Sequence, residues 1–309
     1  MKSKIYVIGS SNTDMVVKSN FLPKPGETVI GDTFLMNPGG KGANQAVSAC
    51  KLGADVTFIT KVGNDMFGKK AVNNFKKTGI KTDFIRIDKN NSSGVAIIMV
   101  DKSGENSISV APGANNSLKI KDVNFIEEKL NADDYVLIQL EIPISVVEYL
   151  IEICNKLKVK LILNPAPFQK ISDYHLSQVN TITPNEIETE YLSGIKVKDK
   201  ETAKKASEIL INKGIKNIII TMGEKGAFYK SSSFEGLIPT KKVNVIDTTA
   251  AGDTFNGALV AGLSMKMDML TSIDFANNAA TYSVTKLGAQ SSAPSINDLN
   301  NKFLKYVHS

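Results

Sequence analysis

Short runs that are apolar at every position, such as Val136-Leu137-Ile138 and Ile218-Ile219-Ile220, most tightly limit what this chain can fold into. A strand with one face in water alternates polar and apolar residues, so a run apolar throughout must be covered on both faces. Short, mostly apolar runs built around such cores recur at 5–8, 56–60, 135–140, 160–163 and 217–221, with a shorter one at Ile182. Between them lie stretches of helical periodicity at 44–52, 67–77, 146–157 and 203–212, and a helix from Asn185. Strand–helix alternation over most of the length predicts an α/β fold, a three-layer α/β/α sandwich around a mostly parallel central sheet. Ligands then belong at the carboxyl ends of the strands.

Two segments break the alternation. One carries Pro23, Pro25 and Gly26 before a Thr/Val/Ile/Phe-rich run, and the other reads as two strands around Asp101-Lys102-Ser103-Gly104-Glu105. We expect a small antiparallel β sheet from inserted segments at about 14–38 and 93–111, within a single domain over residues 1–309. Placed over the strand ends it would be a lid that excludes water; a peripheral hairpin would leave the same pattern.

Composition removes several classes of function. The 309 residues are 42% hydrophobic and 22% charged, as in ordinary globular chains. The net charge is +6, but the 37 Lys and Arg are scattered and no basic run stands beside aromatics, which argues against nucleic acid. Two histidines and two cysteines cannot assemble a zinc site or a Ser-His-Asp triad in any redundant way, so acid–base work falls on carboxylates. Cys50 and Cys154, each in an apolar helical pattern, fit a reducing compartment. No stretch reaches the ~18 apolar residues of a membrane span, and a cytoplasmic protein is expected.

The chemistry concentrates in two stretches. Asp247-Thr248-Thr249-Ala250-Ala251-Gly252-Asp253-Thr254-Phe255 crowds carboxylates, hydroxyls and small residues into the start of an apolar helix. Small residues there leave backbone N–H groups reachable by an anion. A carboxylate at the mouth of an anion site repels its ligand, unless it takes a proton from a group attacking that ligand. Asp253 therefore reads as the base of a phosphoryl transfer, although a helix capped by Asp and Thr would look the same. The second stretch, Asn37-Pro38-Gly39-Gly40-Lys41-Gly42-Ala43-Asn44-Gln45-Ala46, is glycine-rich and opens a helix without matching a Walker P-loop. Lys41 and Asn44 share one helix face and are suited to donate to hydroxyls. Asn12 and Asp14 after the first strand, and Glu141 after another, suit a polyhydroxylated ligand. The loops Thr183-Pro184-Asn185-Glu186 and Thr221-Met222-Gly223-Glu224-Lys225-Gly226 also fall at strand ends, and the glycines of the second are spaced to wrap a nucleotide.

The two long motifs, in this order, resemble those of the ribokinase-like (PfkB) sugar kinases. The similarity extends through Asn12-Thr13-Asp14, Asn164-Pro165-Ala166-Pro167 and Lys286-Leu287-Gly288-Ala289-Gln290, and within the family it points to the branch that phosphorylates ribose. The resemblance implies transfer of the γ-phosphoryl of ATP to a sugar's primary hydroxyl. It implies that Asn12, Asp14, Gly39, Gly40, Lys41, Asn44 and Glu141 hold the sugar. Asp253 would take the proton, and the amides of Ala250, Ala251 and Gly252 would receive the phosphoryl group. Many members have glycine where Ala250 stands, but alanine leaves the same N–H free. Asn185, Thr221, Gly223, Gly226, Gly252 and Asn277 would contact the nucleotide, with Glu188 organising magnesium through water. A potassium ion would lie among Asp247, Thr249, Ser283, Lys286, Gly288 and Ser292, mostly on backbone carbonyls. The family also implies a homodimer in which the β lids of two subunits pack together. Other readings are a kinase of 2-deoxyribose, fructose or a nucleoside, or a sensor that binds sugar without turnover.

Overall fold

The computed structural model describes residues 3–299 and 303. In chain order the N-terminal part runs β1 (Ile5–Ile8), β2 (Asn12–Lys18), β3 (Thr33–Gly39), α1 (Lys41–Lys51), β4 (Val56–Ile59), β5 (Lys61–Gly63) and α2 (Met66–Thr78). It continues with β6 (Arg86–Asp88), β7 (Gly94–Val100), β8 (Asn106–Ala111), α3 (Ile120–Val123), β9 (Tyr135–Ile138), α4 (Ile144–Leu157) and β10 (Lys160–Leu163). Then follow α5 (Asp173–Leu176), β11 (Thr181–Ile182), α6 (Glu186–Ser193), α7 (Lys200–Asn212) and β12 (Asn217–Thr221). The last elements are β13 (Ala227–Lys230), β14 (Glu235–Ile238), α8 (Ala251–Ser264) and α9 (Met269–Ser283).

Eight strands form the central sheet in the order β14-β13-β12-β11-β10-β9-β1-β4. The pairings from β12 through to β4 are parallel, and β13 and β14 add an antiparallel edge. The all-apolar runs do what their composition requires. Ile5, Val7, Leu137 and Ile219 face one core with α1, α8 and α9 residues, while Tyr6, Ile8, Val136, Ile138, Ile218 and Ile220 face another with α4 and α7 residues. Each strand thus serves two cores by its period of two, and the expected three layers result. Among the described residues no helix is long and apolar enough to cross a membrane.

The two segments that broke the alternation form a separate four-stranded sheet, β3-β2-β7-β8. Its hairpin pairs β2–β3 and β7–β8 are antiparallel, as expected, but β2 and β7 run parallel where the hairpins join. The first of its two segments starts earlier than the sequence pattern indicated, at Asn12, and ends at Gly39. Its first and last paired residues (Asn12 opposite Gly39) are therefore site candidates themselves. Helix α1 packs closely on α8 because Gly257 has no side chain: a Cβ there would come 2.6 Å from both the Gln45 carbonyl oxygen and Ser48 Cβ. That contact brings the starts of the two motif helices together.

Candidate active site

Among the described residues five helices begin with a side-chain cap: Asp65 for α2, Ser172 for α5, Asn185 for α6, Asp199 for α7 and Asp268 for α9 each accept a backbone N–H. Helices α1 and α8 have no such cap, and neither do α3 and α4. At α8 the chain enters through Ala250 in the left-handed conformation (φ 58°, ψ 18°). The Ala251 N–H turns back to the Thr248 carbonyl at 3.2 Å, whereas those of Ala250 and Gly252 meet no acceptor among the described residues. A Cβ on Gly252 would find nothing within 4 Å. Uncapped N–H groups facing open space, at the positive end of a helix dipole, suit an anion.

Asp253 lies in the first turn of this helix and is buried. Its Oδ2 accepts from Asn44 Nδ2 and its Oδ1 from Gln45 Nε2, both at 2.9 Å. Burial raises its pKa, Glu141 adds to that, and Lys41 with the two amides opposes it. A carboxylate with a raised proton affinity, kept ionised by positioned donors, is suited to general base work.

Lys41 is the cation of the site. Burial alone would lower its pKa, but Asp253, Glu141, Glu188 and Asp14 outweigh that and raise it. Glu141 accepts both the Lys41 backbone N–H, at 2.9 Å, and the Ser10 hydroxyl, so it ties the start of α1 to the ends of β1 and β9. Asp14 is pushed up to about 6 by burial, with Glu141 and Asp253 adding to the effect and Lys41 opposing it.

The glycines of the N-terminal motif make this crowding possible. A Cβ on Gly39 would stand 2.2 Å from Asp14 Oδ2, and one on Gly40, whose φ is +89°, would stand 2.7 Å from the Asn12 nitrogen. Asn12 itself accepts from Asn115 Nδ2 at 2.7 Å. All seven residues expected to hold a sugar thus converge, together with Asp253, at the carboxyl end of the central sheet.

The expected nucleotide and cation residues form two further groups. Asn185 and Thr221 are bridged as neighbouring strands would be, so the two loops that contain them lie side by side. Gly223 (φ +53°) borders open space, while a Cβ on Gly226 (φ +99°) would strike the Ile238 carbonyl oxygen at 2.2 Å. Asn185 and Glu188 are turned on each other: Glu188 accepts the Asn185 backbone N–H at 2.9 Å and its amide at 3.1 Å. Asn277 donates to the Ile238 carbonyl at 3.0 Å, which fixes the end of β14. Asp247 accepts from the N–H groups of Thr249 at 2.8 Å and Gly288 at 2.9 Å. The backbone N–H groups of Ile246 and Asp247 both reach the Val284 carbonyl. The six residues expected around a cation therefore sit on two segments pinned to each other, the loop before α8 and the end of α9 with the loop after it. The hydroxyls of Ser283 and Ser292 are turned onto their own backbone.

Several functional-looking residues escaped the sequence reading. Gln45 was part of a quoted motif, but nothing in its spacing showed that it would donate to Asp253. Gln139 and Gln290 are buried amides that donate to Gln45 and Asn44, respectively. A lone glutamine in the run 135–140 was a usable signal, since a polar residue inside an otherwise apolar strand needs a buried partner.

The chain matches the model of the pfkB family of carbohydrate kinases over residues 2–296. It is 45% identical over 294 residues to a ribokinase of Haemophilus influenzae, covering 95% of this chain and 96% of the relative. It is 38% identical over 297 residues to a deoxyribokinase of Salmonella typhi, covering 96% and 97%. Among solved structures, that of Arabidopsis thaliana ribokinase complexed with ribose and ATP superposes with a TM-score of 0.88 at 29% identity, over 100% of both chains. A carbohydrate kinase is the class that the fold and the site define. The chain belongs to the pfkB carbohydrate kinase family.

Proposed function

We propose that the protein is an ATP-dependent ribokinase, which converts D-ribose and ATP to D-ribose 5-phosphate and ADP. The observation that carries this reading is the placement of Asp253, held by Asn44 and Gln45, between the converged polar residues and the uncapped start of α8. Its identity with the Haemophilus relative supports ribose as the sugar.

In this reading Asn12, Asp14, Gly39, Gly40, Lys41, Asn44 and Glu141 bind the hydroxyls of ribose and aim its 5-hydroxyl at the anion site. Asp253 takes the hydroxyl proton as the O5–phosphorus bond forms. The bond from the γ-phosphorus to its bridging oxygen breaks, and ADP leaves with that electron pair. The N–H groups at Ala250–Gly252 and the charge of Lys41 oppose the negative charge that builds on the transferred group. Burial keeps water from competing with the sugar as acceptor.

Asn185, Thr221, Gly223, Gly226, Gly252 and Asn277 are proposed to border the nucleotide. Among the described residues no group of three or more His, Cys, Asp or Glu could hold a metal ion, so a magnesium ion would arrive with the triphosphate. Glu188, both of whose oxygens accept from Asn185, suits contact with that ion through water. Magnesium would neutralise phosphate charge. The loops of Asp247, Thr249, Ser283, Lys286, Gly288 and Ser292 offer one carboxylate and several carbonyl oxygens, a hard donor set that fits potassium. Potassium would fix the loop leading into the anion site.

We further propose that residues 1–309 act as one kinase domain in the cytoplasm, with the small sheet as its lid and two lids packed together in a homodimer. Leu35, Ile108 and Val110 are exposed on one face of that sheet, an apolar surface that a second copy would cover.

The 38% identity to a deoxyribokinase makes 2-deoxyribose the specific rival. A coupled ADP-release assay over a sugar panel, in potassium and in sodium, separates them. Ribose is expected to give the highest kcat/KM, and a preference for deoxyribose would sink the ribose assignment.

A further inference from the structure

The donors on Asp253 are held at their far ends by other amides. Gln45 donates through Nε2 to Asp253 Oδ1 and to Asn164 Oδ1, both at 2.9 Å, and its Oε1 accepts from Gln139 Nε2 at 2.6 Å, so Gln139 acts on the amide from the end opposite both acceptors. Asn44 donates through Nδ2 to Asp253 Oδ2, and its Oδ1 accepts from Gln290 Nε2 at 3.2 Å. Gln290 Oε1 accepts in turn from Asn74 Nδ2 at 2.9 Å. The two ends of a primary amide have nearly the same shape and opposite polarity. Turned the other way, either amide would set a carbonyl oxygen against the carboxylate. The far-end donors oppose that turn.

We propose that Gln139 through Gln45, and Gln290 through Asn44, act as two positioning relays that fix the polarity of the amides on Asp253 and so hold it as an aimed acceptor for the sugar hydroxyl. This rests on the reading of Asp253 as the base and goes further by naming residues that touch neither substrate.

Two observations set the relays apart from ordinary core packing. Gln139 is fully buried, yet among the described residues its Oε1 has no hydrogen-bond partner. A buried orphan oxygen costs stability, and a leucine or methionine at this strand end would avoid the cost. Strand β1 also gives way to it: a Cβ on Gly9 would come 2.1 Å from that same oxygen. The charged groups around Asp253 explain why aimed donors are needed. Glu141 after β9, Asp14 on β2 and Glu188 at the start of α6 are all carboxylates, and Lys41 on α1 is the cation among them. Burial raises the proton affinity of Asp253, and the two amides work with Lys41 against it.

The test uses Gln45→Met, Gln139→Met, the double variant and Asp253→Ala, all assayed for ribose phosphorylation against pH. Gln45→Met should lower kcat about tenfold, the factor commonly carried by one hydrogen bond to a charged group. Its ribose KM should stay within about twofold, because an orienting contact acts on the chemical step. Its acidic limb in kcat should move to higher pH, since burial then acts with less opposition. Gln139→Met, which does not touch Asp253, should shift the same limb in the same direction by less. The double variant should be no worse than Gln45→Met alone, because Gln139 acts through Gln45. If the two losses multiply, or if KM rises while the limb stays fixed, the relay is overturned. Should Gln45→Met fail to fold in a thermal melt, the limb of Gln139→Met decides alone. An Asp253→Ala enzyme that turns over near the wild-type rate would overturn the base reading itself. If that variant is inactive while Gln45→Met keeps the wild-type kcat and limb, the relay falls and the base stands.

Discussion

Asp247 and Asp253 come from one short stretch of sequence, and the fold treats them in opposite ways. Asp247 is half-buried on a loop, and its two oxygens accept main-chain N–H groups from Thr249 and Gly288. Burial would raise its pKa, but the Thr249 side chain, the main-chain N–H groups of Gly288 and Thr249, and Lys18 together hold it below the usual carboxylate range. Asp253 is buried at the start of α8, its donors are side-chain amides, and burial wins so that its pKa is raised. Main-chain donors are fixed by the loop itself and suit a carboxylate that stays charged and joins two segments. At Asp253 burial outweighs its donors and leaves a carboxylate readier to take a proton. The difference fits the proposed roles of an anchor for Asp247 and a base for Asp253.

Lengthening each aspartate by one methylene sharpens the comparison most. In the sealed pocket Asp253→Glu would displace the carboxylate from both amides and from the sugar hydroxyl, and kcat should fall about 100-fold or more. Asp247→Glu sits where the loop can adjust, and its loss should stay within about tenfold and shrink as potassium is raised. Steady-state rates of the two variants over a potassium series check this; equal losses would erase the distinction.

A smaller effect is expected at Asp14, which burial pushes up to about 6. Above that pH it is ionised and, in the proposed role, accepts sugar hydroxyls; below it is protonated. The ribose KM should therefore rise about tenfold from pH 7 to pH 5, following the ionised fraction, and Asp14→Asn should flatten the profile. The linkage to stability has the opposite sense. The folded chain binds the proton more tightly than the unfolded one, so this group's contribution is full below its ordinary value of 3.8 and is lost as pH rises through about 6. Thermal melts without ligand should show Asp14→Asn more stable than wild type at pH 8 and no more stable at pH 4.

The fold was legible where burial writes directly into the sequence. The runs at 160–163 and 217–221 match β10 and β12 residue for residue. Helix starts were less legible because polar first turns carry no apolar period. Helix α7 begins at Lys200 rather than 203, set by a capping box between Asp199 and Thr202. Helix α1 begins at Lys41 rather than 44, directly after the left-handed Gly40. The antiparallel edge β13–β14 and the small β5–β6 pair went unread, being short and only partly apolar. In the site, the glycines and carboxylates of the two motifs were readable because close approach and charge each demand particular residue types. The roles of Gln45, Gln139 and Gln290 were not, because the direction of an amide is set by partners more than 90 residues away in the chain.

The central claim is that Asp253 supplies the proton acceptor and not the sugar's binding energy. Ribose phosphorylation and ribose binding measured on the same Asp253→Ala protein, by coupled assay and by calorimetric titration, test it most directly. The account predicts a loss of turnover of about 10³-fold with a ribose Kd within a few-fold of wild type. Turnover near the wild-type rate, or a loss of turnover fully matched by a loss of ribose binding, would contradict it.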